Sequence, residues 1–197
     1  MRPNRLASNL TKGLMLFLLL ATGLSGCMFF GGRDAQETPS EEQIATGPTD
    51  LENTATGAQI TVPDGWRVAR EGLRKTADIY AVYPSRDLYA SVLSERAAVL
   101  SQFDLEDNAT QYRRLIRSEL DDYEGENRLG TSSIDGMPAV QYEIRGRVGG
   151  VPVVYLHTTI KGADNYYQVV GWTTENGYEE NEETLKAIAL SFRKTES

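Results

Sequence analysis

Two dipeptides, Asp135-Gly136 and Gly149-Gly150, bracket a run from Val140 to Val148 in which apolar and polar residues alternate. Val140, Tyr142, Ile144 and Val148 share one face and Gln141, Glu143, Arg145 and Arg147 the other, the two-residue period of a strand with unlike sides. Both dipeptides are two-residue hairpin loops, whose central positions need positive φ. Closed directly, they set Val148 opposite Val151 and Ile134 opposite Met137. Counting back from each turn then places Leu129, Tyr142 and His157 side by side on one face. The chain is thereby committed to an antiparallel meander.

The neighbouring segments extend it. Ala58 to Val62, Trp66 to Ala69, Asp78 to Tyr83 and Leu88 to Arg96 read as strands, separated by Pro63-Asp64-Gly65 and Pro84-Ser85-Arg86-Asp87. Proline presets φ in such turns and glycine accepts positive φ. Val151 to Lys161 and Tyr166 to Thr173 are apolar on both sides and so read as strands covered on both faces. Two helices complete the inventory. Ala109, Tyr112, Ile116, Leu120 and Tyr123 fall at helical spacing in Leu105 to Tyr123, with Asp104 as N-cap and Asp107 three residues on. In Tyr178 to Leu190 the acids gather near the positive helix end, and Leu185, Ile188 and Phe192 supply the inward stripe. The expected fold is α+β, an antiparallel sheet with a helix on each face in a three-layer α/β/α sandwich.

At the N-terminus, Arg2, Arg5 and Lys12 precede an apolar run from Gly13 to Leu24, and small residues lead to Cys27, the chain's single cysteine. These are the parts of a secretory signal. About a dozen apolar residues fall short of the roughly 20 a spanning helix needs. Leu24-Ser25-Gly26-Cys27 resembles the lipobox of bacterial lipoproteins. That resemblance implies diacylglycerol on the Cys27 sulfur, cleavage after Gly26, and acylation of the new amino group; no other cofactor is expected. Two or three acyl chains anchor stably where one holds only marginally. Met28 stands where many enterobacterial lipoproteins carry a retaining aspartate, so by analogy the destination is the outer membrane facing the periplasm in a diderm host. In a monoderm host it is the outer face of the cell membrane.

Removing residues 1–26 takes away three cations and moves the net charge from −8 to −11. An acidic chain is repelled by nucleic acid and by anionic headgroups, so neither is an expected partner. Residues 27–57 read as the lipidated N-terminus and a polar tether, and 58–194 as the folded domain, one unit in size.

Ile60-Thr61-Val62-Pro63-Asp64-Gly65-Trp66, Ile134-Asp135-Gly136-Met137-Pro138-Ala139, Tyr166-Tyr167-Gln168-Val169 and the closing Ser191-Phe192 together resemble the PsbP-like superfamily, which includes DcrB-type bacterial lipoproteins. The resemblance implies an antiparallel sheet between helices and a non-catalytic binding or assembly role with another envelope protein as partner.

Chemistry-bearing residues are sparse. His157 is the only histidine, and there is no nucleophile elbow, phosphate loop or zinc motif. Beside Tyr142 in an apolar row, His157 reads as a core histidine, with a pH-sensitive or ligand-facing role as the alternative. Glu119, Asp121, Asp122, Glu124 and Glu126 read as a solvated acidic turn rather than a calcium site, since their spacing is not that of an EF-hand. Tyr142, Tyr155, Tyr166, Tyr167 and Trp172 read as sheet core; the alternative is a cleft lined by Tyr155, His157 and Tyr167. No enzyme activity and no metal are expected. A small-ligand or cation-binding module is the second reading.

Overall fold

The computed structural model describes residues 43–68, 77–96 and 103–195. The signal segment 1–26, Gly26, Cys27, the first part of the tether and the end of the strand read as Trp66 to Ala69 lie outside the described residues.

The elements are β1 (Gln43–Ile44), β2 (Thr49–Asn53), β3 (Ala58–Val62), β4 (Arg67–Val68), β5 (Ile79–Tyr83), β6 (Leu88–Arg96), α1 (Leu105–Ser118), β7 (Asp122–Arg128), β8 (Ser133–Ile134), β9 (Met137–Val148), β10 (Val151–Lys161), β11 (Asn165–Thr174), α2 (Glu175–Leu190) and β12 (Arg193–Lys194). Among the described residues they form a nine-stranded antiparallel sheet in the order β1-β4-β5-β6-β11-β10-β9-β7, with β8 also on β9. A small sheet runs β12-β3-β2. The class is α+β, as the sequence patterning requires.

The hairpin loops act as expected. Val148 pairs with Val151 and Ile134 with Met137, and His157 lies opposite Tyr142. Asp135 and Gly136 have φ of 51° and 73°, and Gly149 and Gly150 of 59° and 79°, the conformation that a direct two-residue turn demands. Leu129 departs from the expectation. Arg128, not Leu129, faces Tyr142, because β7 and β8 are separate pieces along β9 and their registers differ by one residue. A one-residue slip turns a side chain to the other face. Leu129 accordingly packs with the other core cluster, away from His157 and Tyr142.

Both faces of the large sheet carry a core. On one face Ala109, Tyr112 and Ile116 of α1 pack on Val140, Tyr142, Ile144 and Val170. On the other, Tyr178, Leu185, Ile188 and Ala189 of α2, with Phe192, share a larger cluster with Ile60, Val62, Leu156, Ile160, Tyr167 and Val169. This second face is shared by α2 and the small sheet, so its outer layer is not helix alone.

Two boundaries move. Strands β1 and β2 fall inside the stretch 27–57 assigned to the tether. Their short polar sequences are held by edge pairing, β1 on β4 and β2 on β3, with Ala45 and Leu51 the buried anchors. Helix α1 begins at Leu105 behind an Asp104–Asp107 capping box but stops at Ser118. Leu120 and Tyr123, expected on its apolar stripe, lie beyond it, and Tyr123 belongs to β7. The acidic residues from Glu119 to Glu126 thus run from the helix cap into an edge strand.

Gly146 shows how closely β9 meets that crossing. A Cβ there would lie 2.5 Å from the Asp122 carbonyl oxygen and 2.6 Å from a Leu120 methyl. Gly130 has open space around it. Gly146→Ala is expected to lower stability by about 1–3 kcal/mol, as overpacking against backbone does, while Gly130→Ala stays within about 0.5 kcal/mol. Urea unfolding of the two variants checks this.

Candidate functional site

The strongest concentration of polar groups in the interior is built on the α1 face, around His157. Strand β10 turns Tyr155, His157 and Thr159 to this side, and the β10–β11 register sets His157 opposite Val170 and Thr159 opposite Gln168. Helix α1 closes the site from above. The ring of Tyr112 stacks on the imidazole with centroids 4.9 Å apart and planes 17° apart. Two positions share the inward stripe one turn apart, so Asn108 enters the same layer as Tyr112.

Hydrogen bonds fix each member. Gln168 donates its Nε2–H to Asn108 Oδ1 at 2.7 Å, and its Oε1 accepts from the Thr159 hydroxyl at 2.7 Å. The same oxygen lies 2.8 Å from His157 Nε2. An amide whose nitrogen is committed to Asn108 can only accept from the ring, so the network assigns the proton to Nε2. His157 Nδ1 is then a bare acceptor, and it has no hydrogen-bond partner among the described residues. Glu95 of β6 completes the network through the side chains of Asn108 and Gln168; burial raises its pKa and those hydrogen bonds oppose the rise.

Burial makes the imidazole a poor base. His157 is 0% exposed. Desolvation, with the nearby Arg113 guanidinium adding to it, pushes its pKa down to about 4 despite the bond to Gln168. A proton at Nδ1 has no acceptor among the described residues, so the cation is disfavoured for a second reason. Tyr112 is shifted upward, first by burial and then by Glu95, and Tyr155 is pushed up to about 12 by burial and by Glu119. None of these groups is poised to exchange protons near neutrality.

The side toward β7 is closed by a charged shell. Arg113 lies over the Tyr142 ring, 3.7 Å from its centroid, and pairs with Glu126. Tyr142 donates its hydroxyl to Glu106 at 2.9 Å, and Glu106 pairs with Arg128 at 2.6 Å.

The cleft of Tyr155, His157 and Tyr167 does not form. Tyr167 pairs with Ile160, on the opposite parity from His157, and its ring is buried in the other core against Phe192. Its hydroxyl is used in a bond to the Thr56 carbonyl at 3.1 Å. The acidic stretch is engaged in pairing. Glu126 holds Arg113, Glu124 lies 3.2 Å from Arg147, and Asp121 accepts the Gly149 N–H at 2.5 Å. Among the described residues no group of three or more His, Cys, Asp or Glu side chains is placed to hold a metal ion.

Sequence reasoning passed over Asn108, Gln168, Thr159 and Glu95. The available signal was polarity in apolar surroundings: Gln168 interrupts Tyr-Tyr-Gln-Val-Val, and Asn108 stands one helical turn before Tyr112.

No family model matches the chain, and no curated protein matches it. Solved structures do. The solution structure of the cyanobacterial PsbP protein CyanoP from Synechocystis sp. PCC 6803 aligns over 86% of this chain and 98% of its own with a TM-score of 0.56 at 15% identity. LpqN of Mycobacterium tuberculosis, involved in cell envelope biogenesis, aligns over 76% and 91% with a TM-score of 0.49 at 16% identity. The likeness to CyanoP at this identity is one of fold, and the domain has a PsbP-like fold.

The His157 shift carries a sign. A histidine with a folded pKa below its unfolded value binds fewer protons folded than unfolded, so its stabilisation is full above about pH 6.5 and is lost as pH falls toward about 4. The loss is on the order of 3 kcal/mol at about 1.4 kcal/mol per unit. Glu95, raised by burial, works in the opposite direction as it takes up its proton. Urea unfolding of Glu95→Gln between pH 7 and 4 is expected to show stability falling with acid, and the additional His157→Gln change is expected to flatten that slope.

Proposed function

We propose that the chain is a membrane-anchored lipoprotein of a bacterial cell envelope whose domain binds or assembles with another envelope component and catalyses no reaction. The observation that carries this reading is Leu24-Ser25-Gly26-Cys27 at the end of a basic-then-apolar leader. It supplies the anchor, diacylglycerol and an N-acyl chain at Cys27, and an address outside the cytoplasm: the outer membrane in a diderm host, the outer face of the cell membrane in a monoderm.

The PsbP-like fold agrees with the resemblance on which a non-catalytic role rests, and the lipobox-like leader is the support for reading the chain as a DcrB-type lipoprotein. In this reading α1 and α2 serve as the outer layers of a helix-flanked sandwich, with the small sheet beside α2. The lone histidine gives further support. Buried, neutral and hydrogen-bonded to Gln168, it is a structural side chain rather than a base presented to substrate. Among the described residues, no helix is long and apolar enough to cross a membrane, and attachment here is assigned to lipid. The partner is a protein of the envelope within reach of the anchor.

Cys27→Ser tests the anchor. In fractionated cells the wild-type chain is expected in the membrane pellet and Cys27→Ser in the soluble envelope fraction. A serine variant that still pellets in full contradicts the reading. For the binding role, photo-crosslinking in intact cells is expected to yield a discrete protein adduct.

A further inference from the structure

We infer that the α1 face of the large sheet is the surface the domain lays against phospholipid headgroups; this rests on the lipid-anchor reading above. Three independent features point to that face.

The first is a row of side chains across the sheet. Through successive pairings, Ile44, Arg67, Val82, Tyr89, Trp172 and Tyr155 lie side by side on the α1 side of β1, β4, β5, β6, β11 and β10. Tyr89 and Trp172 stack at 5.1 Å and 10°, and Trp172 and Tyr155 at 6.1 Å and 22°. Helix α1 packs on β9 and β10, at one end of the row. Toward the other end Tyr89, Trp172 and Val82 are half-buried and Ile44 is 56% exposed. Tyrosine and tryptophan, each with an apolar body and a polar handle, are the side chains favoured at a membrane–water boundary.

The second is charge. Helix α1 carries Arg113, Arg114 and Arg117 against Glu106 and Asp107, a net of +1. Helix α2, on the opposite face, carries Glu175, Glu179, Glu180, Glu182 and Glu183 against Lys186, a net of −4. Arg114 and Arg117 are exposed, as are Glu179, Glu180 and Glu183. A layer of phosphates attracts the exposed Arg114 and Arg117 of the first helix and repels the exposed glutamates of the second. The acidity of the whole chain therefore does not bar contact; it selects the face.

The third is where the chain enters. The described fold begins at β1, and Ile44 of β1 heads the aromatic row. Cys27 lies sixteen residues before Gln43. At about 3.6 Å per residue when fully extended, that segment spans at most about 58 Å. An anchored Cys27 thus holds the row's exposed end within reach of the bilayer on which it would lie.

The test uses the mature lipidated protein in phosphatidylcholine vesicles whose acyl chains are brominated near the headgroup. The two tryptophans report separately, because Trp66 is 0% exposed in the opposite core. Wild-type emission is expected to be partly quenched on brominated relative to plain vesicles, with the quenched component absent from Trp172→Phe. Arg114→Glu, on the exposed side of α1, is expected to reduce the quenching, and Glu180→Lys to leave it unchanged. Protein that floats with the vesicles but is not quenched overturns the face assignment while leaving the anchor intact. Quenching that persists in full in Arg114→Glu overturns it as well. Protein that does not float with vesicles overturns the anchor reading and this inference with it.

Discussion

The pairing of β9, β10 and β11 is the constraint from which the rest follows. Gly149-Gly150 closes the first hairpin without slack, so Val151 must face Val148, and every later residue of β10 has its side assigned. With a side-chain period of two, a slip of one residue would move His157, Tyr155 and Thr159 to the α2 core and bring Leu156 and Ile160 under α1. The turn conformation is thus connected to the chemistry of both interiors: one face receives a polar network among aromatics, the other an aliphatic core closed by Phe192.

That polar network is a device for locating α1. Apolar contact from Ala109, Tyr112 and Ile116 draws the helix onto the sheet but tolerates sliding, since hydrophobic attraction has little direction. Asn108, Gln168, His157 and Thr159 do not tolerate it. Each bond in the set fixes the orientation of the next, and a shifted helix would leave buried amides unpaired at about 1–3 kcal/mol each. Within these four side chains and among the described residues, the atom left unsatisfied, His157 Nδ1, is an acceptor lone pair rather than an N–H, the form that network orientation selects. Arg113 and Glu126, outside the layer, extend the clamp to β7.

Much of this was legible in the sequence, and what was not has identifiable causes. Turn chemistry and alternation gave the β9–β10 register, the adjacency of Tyr142 and His157, the capped start of α1 and the two-sided burial of β10 and β11. Leu129 was misplaced because two-residue turns fix only the strands they join directly, and the break between β7 and β8 shifts the count by one. Tyr167 was read correctly as sheet core; the alternative cleft with His157 fails because the β10–β11 register, which the loop does not announce, sets Tyr167 on the opposite face. Strands β1 and β2 have tether-like composition; what orders them is pairing with β4 and β3, a tertiary effect that local polarity does not record. The end of α1 was overrun because Leu120 and Tyr123 continue the helical spacing while serving the next element.

The structural role of His157, held neutral by burial, is to position α1 through Gln168 and Asn108. It is tested most directly by an NMR titration of the chain's single imidazole in the folded protein. The expected result is a neutral ring carrying its proton on Nε2, unchanged through pH 6.5 and titrating near pH 4. A midpoint at the ordinary value near 6.5, or a proton resident on Nδ1, would contradict the network and the fixed position of α1 that depends on it.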